Sequence, residues 1–165
     1  MRGRLGAELS EVLCGREPGV EDLPRLAYTR QVFEETMRLY PPAWGQPRQS
    51  VAEDEIGGFH IEAGRLVLVS QYLTHRHPDF WERPEEFDPE RFMPEKAAAR
   101  PRFAYFPFGG GARQCIGNHF ALMEAQLAVA TLAQHFRPRL VAGRAVEIDP
   151  TFSLRPRGGV AVTLR

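Results

Sequence analysis

Apolar residues recur at helical spacing in three stretches of the chain, separated by segments with shorter or no period. Leu5, Leu9, Val12 and Leu13 predict a helix over residues 3–14, with Gly15 as its stop. A polar connection from Arg16 to Pro24 leads to a second helix, from about Arg25 or Leu26 to Leu39. Tyr40-Pro41-Pro42 closes it, because proline cannot continue the backbone hydrogen bonds. Ala43 to Pro47 reads as extended. From Ser50 the pattern becomes that of a small sheet. Val51–Ile56 and Phe59–Ile61 flank Gly57-Gly58, a hairpin signal, and the aliphatic run Arg65–Ser70 predicts a buried strand. Gln71 to Arg76 reads as one or two helical turns before His77-Pro78. Residues 77–107 hold aromatics and prolines without a usable period.

The third helix is predicted from Cys115 to about Gln134. Ile116, Phe120, Met123 and Leu127 form one stripe and Leu122, Val129, Leu132 and Phe136 another, which predicts burial on several sides. The Met and Phe positions read as core. The tail predicts short strands near Val146–Ile148 and Val160–Leu164, with a turn around Arg155–Gly159. The fold class is mainly α with small β-sheets (α+β), and residues 1–165 read as a single partial domain.

Composition narrows the function classes. Hydrophobic residues are 43% and charged residues 25%, as in globular proteins generally. Lys plus Arg equals Asp plus Glu at 21 each, so no net field points to nucleic acid or an anionic membrane. No apolar run has membrane-spanning length. The two cysteines, Cys14 and Cys115, are too few for a disulfide framework or an iron–sulfur cluster and suit a reducing cytosol. A cytoplasmic location is expected, with an anchor on a longer parent left open.

The chemistry concentrates in Phe106-Pro107-Phe108-Gly109-Gly110-Gly111-Ala112-Arg113-Gln114-Cys115-Ile116-Gly117. Three consecutive glycines let something flat or bulky approach the main chain. A cysteine at a helix N-terminus sits beside unpaired N–H groups and a positive dipole end, which favour a thiolate. Such a group is a nucleophile, a redox centre or a metal ligand. No sequence-near histidine base or second cysteine supports the first two roles. An axial bond to haem iron fits best, with Arg113 able to pair with a haem carboxylate. His75, His77 and His119 do not, with Cys115, make a convincing zinc site, because zinc gives the glycines no purpose.

Phe108, Gly111, Arg113, Cys115 and Gly117 occupy every fixed position of F-x-x-G-x-R-x-C-x-G, the haem-binding signature of the cytochrome P-450 (haem-thiolate monooxygenase) family, which the chain resembles. Other landmarks occur in order. Glu35-Thr36-Met37-Arg38 resembles the family's E-x-x-R helix, His75-Arg76-His77-Pro78 its H-R-x-P turn, and Pro89-Glu90-Arg91-Phe92 its P-E-R-F motif in a coiled meander. The resemblance implies Cys115 as the axial iron ligand. Arg113, Arg48, Phe108, Gly109, Gly111 and Gly117 would then contact the haem, the arginines through its propionates. It also implies a structural network of Glu35, Arg38 and Arg91. Ala43 and Trp44, with Phe152 and Leu154 in the tail, become weak substrate contacts.

The resemblance covers only the C-terminal portion of a family member. The long distal helix and its acid–alcohol pair lie outside it, so the fragment by itself is expected to be inactive. A complete parent would insert one oxygen atom from O2 into a lipophilic substrate, with electrons from a reductase or ferredoxin. The alternatives are a non-catalytic remnant with weak or no haem binding, and a peroxide-using parent. Helix faces meant for the missing part are expected to be exposed.

Overall fold

A computed structural model of the chain describes residues 2–164. Helix α1 spans Arg2–Leu13, and the chain leaves it through Cys14 and Gly15, both at positive φ (51° and 84°). A 3-10 turn, Val20–Arg25, leads into α2, Ala27–Leu39. Leu9 and Leu13 of α1 pack with Leu26 and Ala130 into a small apolar core that excludes solvent. The entrance of α2 has no side-chain cap of its own. Glu8, on α1, supplies one: its Oε1 accepts the Tyr28 N–H at 2.6 Å, and its Oε2 accepts the Thr29 N–H at 2.8 Å and the Thr29 hydroxyl at 2.7 Å. A carboxylate there satisfies orphan donors at the positive end of the helix.

Strand β1, Gln46–Gln49, pairs antiparallel with β4, Leu66–Val69, and between them lies the hairpin of β2, Asp54–Ile56, and β3, Phe59–Ile61. Gly57 and Gly58 turn that hairpin at φ 59° and 83°, the left-handed pair that a tight two-residue turn requires. The expected small sheet is thus two separate two-stranded ladders. β1 begins within the segment read as merely extended; its proline is tolerable because the ladder has only one partner strand. The expectation of burial for 65–70 is corrected: Leu66 is 73% exposed, and Leu68 on the same face and Val69 on the opposite one are also exposed, since no described element covers them.

A single helical turn, α3 at Gln71–Thr74, opens the meander, which contains a 3-10 turn at Pro89–Phe92 and a short helix α4, Pro94–Ala99, that periodicity did not mark. Trp81, Phe92 and Tyr105 form an aromatic cluster here, with the Phe92 and Tyr105 rings edge to face at 4.8 Å. Arg38 and Arg100 lie over the Trp81 ring at 5.0 and 4.2 Å. The meander therefore owes its order to rings and cations rather than to backbone ladders.

Helix α5 spans Asn118–His135 rather than beginning at Cys115. Gln114 and Cys115 precede a turn at Ile116-Gly117, and the first helical bond runs from the Ala121 N–H to the Gly117 carbonyl at 2.9 Å. Its expected burial on several sides is also corrected. Only Gln126 and Ala130 of α5 are buried, while Phe120 is 63% exposed and Leu132 and the preceding Ile116 face solvent. Beyond α5, β5 (Arg139–Leu140) pairs with β8 (Val162–Thr163), and β6 (Ile148–Asp149) with β7 (Arg155–Pro156). β7 lies where a turn was expected; the turn itself follows, at Gly158 and Gly159, both with positive φ.

Candidate functional site

The glycine-rich loop is closed by its own main chain. The Phe106 carbonyl accepts the Gly109 N–H at 2.9 Å, the Phe108 carbonyl accepts the Cys115 N–H at 2.9 Å, and the Gly111 carbonyl accepts the Gln114 N–H at 3.1 Å. Gly109 (φ 74°) and Gly111 (φ 68°) occupy backbone conformations that a Cβ resists. Gly110 is extended, and its constraint is space: an added Cβ would lie 2.8 Å from Phe103 Cε1. A Cβ at Gly111 would meet nothing within 4 Å, so that stretch of backbone borders open space. Cys115 is exposed and unbonded to Cys14. It lies two residues before the N-cap of α5, Gly117, so the loop rather than the first helical turn sets its direction.

Gln46, which belongs to no motif, joins the sheet to this loop. Its side-chain amide lies against Gly109, where an added Cβ would be 2.7 Å from Nε2. Its Oε1 accepts from Arg48 Nη2 at 3.1 Å. Arg48, whose Nη1 also donates to the Pro47 carbonyl at 2.8 Å, is exposed on the edge of β1. Arg113 is exposed too and makes no ion pair among the described residues. Two guanidiniums, Arg48 through Gln46 and Arg113 within the loop, therefore border the stretch that presents Cys115. Arginines retain their charge throughout the ordinary pH range and suit planar carboxylates. Phe108 is half-buried, and Gly117, at φ −88°, has only the Cys115 Sγ (3.9 Å) near an added Cβ.

Behind the loop lies a buried charged group. Arg38 Nε and Nη2 donate to Glu35 Oε2 and Oε1 at 2.7 and 2.9 Å, and neither side chain is exposed. Arg38 also donates to the carbonyls of His75 (2.8 Å), Pro84 (2.7 Å) and Glu86 (3.1 Å). Arg91 Nε stands 3.5 Å from Glu35 Oε1 without a hydrogen bond. Arg91 contributes its charge at ion-pair distance, and the remaining hydrogen-bonding capacity of that oxygen goes to the Asp88 N–H at 2.8 Å. Arg91 instead donates to the Arg83 carbonyl at 2.9 Å.

The substrate candidates are drawn together by the tail. The Trp44 indole donates to the Pro150 carbonyl at 2.9 Å, and the Leu154 N–H to the Pro42 carbonyl at 2.9 Å. Ala43 is exposed beside Trp44, and Phe152, on the crossing tail, is 97% exposed. Of the three histidines with zinc-like spacing, His75 is buried while His77 and His119 are exposed, and no cluster of metal-binding side chains occurs among the described residues.

The donor set fits a cysteine-ligated haem: an exposed thiol on the loop, main chain open enough for a flat macrocycle, and two cations for its carboxylates. Comparison with known proteins agrees. The Cytochrome P450 family profile matches residues 2–162, and the chain belongs to that family, whose members carry haem iron held by a cysteine thiolate. It is 46% identical over 150 residues to cyclooctatin synthase of Streptomyces melanosporofaciens, covering 91% of this chain and 33% of that protein. Cyclooctat-9-en-7-ol 5-monooxygenase of the same organism is 46% identical over 140 residues, covering 85% of this chain and 30% of that one. The solved structure of retinoic acid-bound cyanobacterial CYP120A1 superposes with a TM-score of 0.93 at 38% identity, covering 99% of this chain and 38% of its own. The chain thus spans about a third of the length of the curated relatives it matches. Among the described residues no helix is long and apolar enough to cross a membrane.

Proposed function

We propose that this chain is the C-terminal, haem-binding part of a haem-thiolate monooxygenase whose complete form inserts one atom of O2 into a lipophilic substrate. The observation that carries the reading is the self-bonded loop that presents the exposed Cys115 beyond Gly109 and Gly111. Cys115 would hold the haem iron through its sulfur, and the hydrogen bond from its amide to the Phe108 carbonyl fixes the main chain that carries it. Arg113 and Arg48 would hold the two propionates, with Gln46 orienting Arg48. Phe108, Gly109, Gly111 and Gly117 border the macrocycle. Bound in this way, a cysteine-ligated haem supplies activation of dioxygen.

The chain's own residues divide the remaining work. Glu35 and Arg38, with Arg91 beside them, keep α2 and the meander in register behind the loop. Ala43, Trp44 and Phe152 form an apolar edge for the substrate, ordered by the indole bond to Pro150. Two similar proteins support a substrate that is mostly hydrocarbon with one oxygen function: one is a monooxygenase of cyclooctat-9-en-7-ol, the other is bound to retinoic acid. Electrons come from a reductase or ferredoxin.

The test of activity is isotopic. Expressed with whatever reading frame precedes it and supplied with a ferredoxin couple, the protein should place one labelled atom from dioxygen in a hydroxylated terpene-like alcohol. Turnover with peroxide but none with dioxygen and reductant would favour the peroxide-using alternative. Absence of both would favour a non-catalytic remnant.

A further inference from the structure

We propose that His75 is the positioning residue of the cysteine loop, suspending it from the Glu35–Arg38 pair through the Phe106 amide. The functional meaning of this tie rests on Cys115 being the haem ligand; the tie itself rests on geometry. His75 is fully buried, and its Nε2 accepts the Phe106 N–H at 3.0 Å. An accepting nitrogen carries no proton, so the ring is the Nδ1–H tautomer. The main-chain carbonyl of the same residue accepts from Arg38 Nη1 at 2.8 Å. His75 therefore touches the buried ion pair with its backbone and the loop with its ring.

From Phe106 the connection continues by main chain. The Phe106 carbonyl takes the Gly109 N–H, and two residues on, the Phe108 carbonyl takes that of Cys115. The ring is held between Tyr105, at 5.1 Å and 35°, and Phe106, at 5.4 Å and 81°, so it has little room to turn away. Its residue is also pinned by the bond from the His75 N–H to the Gln71 carbonyl at 2.8 Å. The other carbonyls that Arg38 holds, Pro84 and Glu86, belong to the meander and lead away from the loop. Burial lowers the imidazole to about 4, consistent with a neutral acceptor.

Amide hydrogen exchange on the isotope-labelled chain tests the tie without haem. In His75→Ala the Phe106 amide should exchange about tenfold faster, the amides of α2 should keep their protection, and His75→Gln, whose Oε1 replaces the acceptor, should restore most of it. Unchanged Phe106 exchange in His75→Ala overturns the proposal. Should the alanine variant fail to fold, nitrogen NMR of the unmodified chain decides: a bare Nε2 coupled to the Phe106 amide supports the tie, and a protonated Nε2 overturns it. With haem added, His75→Ala should shift part of the reduced carbonyl band from the thiolate form to the thiol form, and His75→Gln should not. An unmoved band with lost Phe106 protection overturns the positioning role. A band of thiol type in the unmodified chain counts against Cys115 as a thiolate ligand, and exchange at Phe106 still decides the tie.

Discussion

Arg38 grips Glu35 through both carboxylate oxygens, at 2.7 and 2.9 Å, in a place from which water is excluded. The pair sits three residues apart on α2, yet its other bonds reach His75, Pro84, Glu86 and Asp88. Removing either partner strands a buried charge and several main-chain groups. Glu35→Ala or Arg38→Ala should each cost about 3–5 kcal/mol. The double variant should cost clearly less than the two together, because neither Glu35 nor Arg38 is then left facing a missing partner. Urea unfolding of the two singles and the double measures this; additive losses would contradict the coupling.

Glu8 caps a helix that is not its own. Glu8→Ala removes acceptors from the Tyr28 and Thr29 amides and from the Thr29 hydroxyl, and should destabilise the chain by about 1–2 kcal/mol. Glu8→Gln keeps one acceptor oxygen and loses the charge, so it should cost less. Thermal denaturation distinguishes the two, and amide exchange should show the loss at the start of α2.

Acid should weaken the fold through His75. Its folded-state value is lowered from 6.5 to about 4, chiefly by burial, with the Arg38 and Arg76 charges adding to the effect. Between those limits the unfolded chain binds the extra proton and the folded chain does not, so stability rises with pH. As pH falls from about 6.5 to about 4, roughly 3 kcal/mol is lost from this group. Denaturation midpoints measured across that range should fall in the unmodified chain and fall much less in His75→Gln.

Glycines of the loop should separate into two kinds. Gly109→Ala places a Cβ at φ 74° and against the Gln46 amide, and should destabilise the haem-free chain by about 1 kcal/mol or more. Gly117→Ala meets only the Cys115 sulfur at ordinary contact and should leave haem-free stability within about 0.5 kcal/mol of the original. A Gly117→Ala chain that melts normally but takes up haem poorly would place Gly117 against the macrocycle.

Much of this architecture was legible because it depends on local periodicity and on turn residues. Both N-terminal helices lie within a residue or two of their expected ends, fixed by Gly15 and by the Pro41-Pro42 exit. The β2–β3 hairpin follows directly from Gly57-Gly58. Burial was less legible. The aliphatic run of β4 and the stripes of α5 look like core in sequence, but burial needs a covering element, and the described residues supply none over Leu66, Ile116 or Phe120. The start of α5 was misplaced because the apolar pattern runs through Ile116-Gly117, while the backbone turns there. The cysteine loop and the Glu35–Arg38 spacing were visible as motifs. Gln46 against Gly109 and Glu8 on α2 were not, because each is a contact between segments distant along the chain and leaves no local signal.

The central claim is that Cys115 binds haem iron through its sulfur. The chain reconstituted with haem, reduced and exposed to carbon monoxide, should give the red-shifted band that marks a thiolate ligand, and Cys115→Ala should lose it while Cys14→Ala retains it. The same band in Cys115→Ala would contradict the assignment.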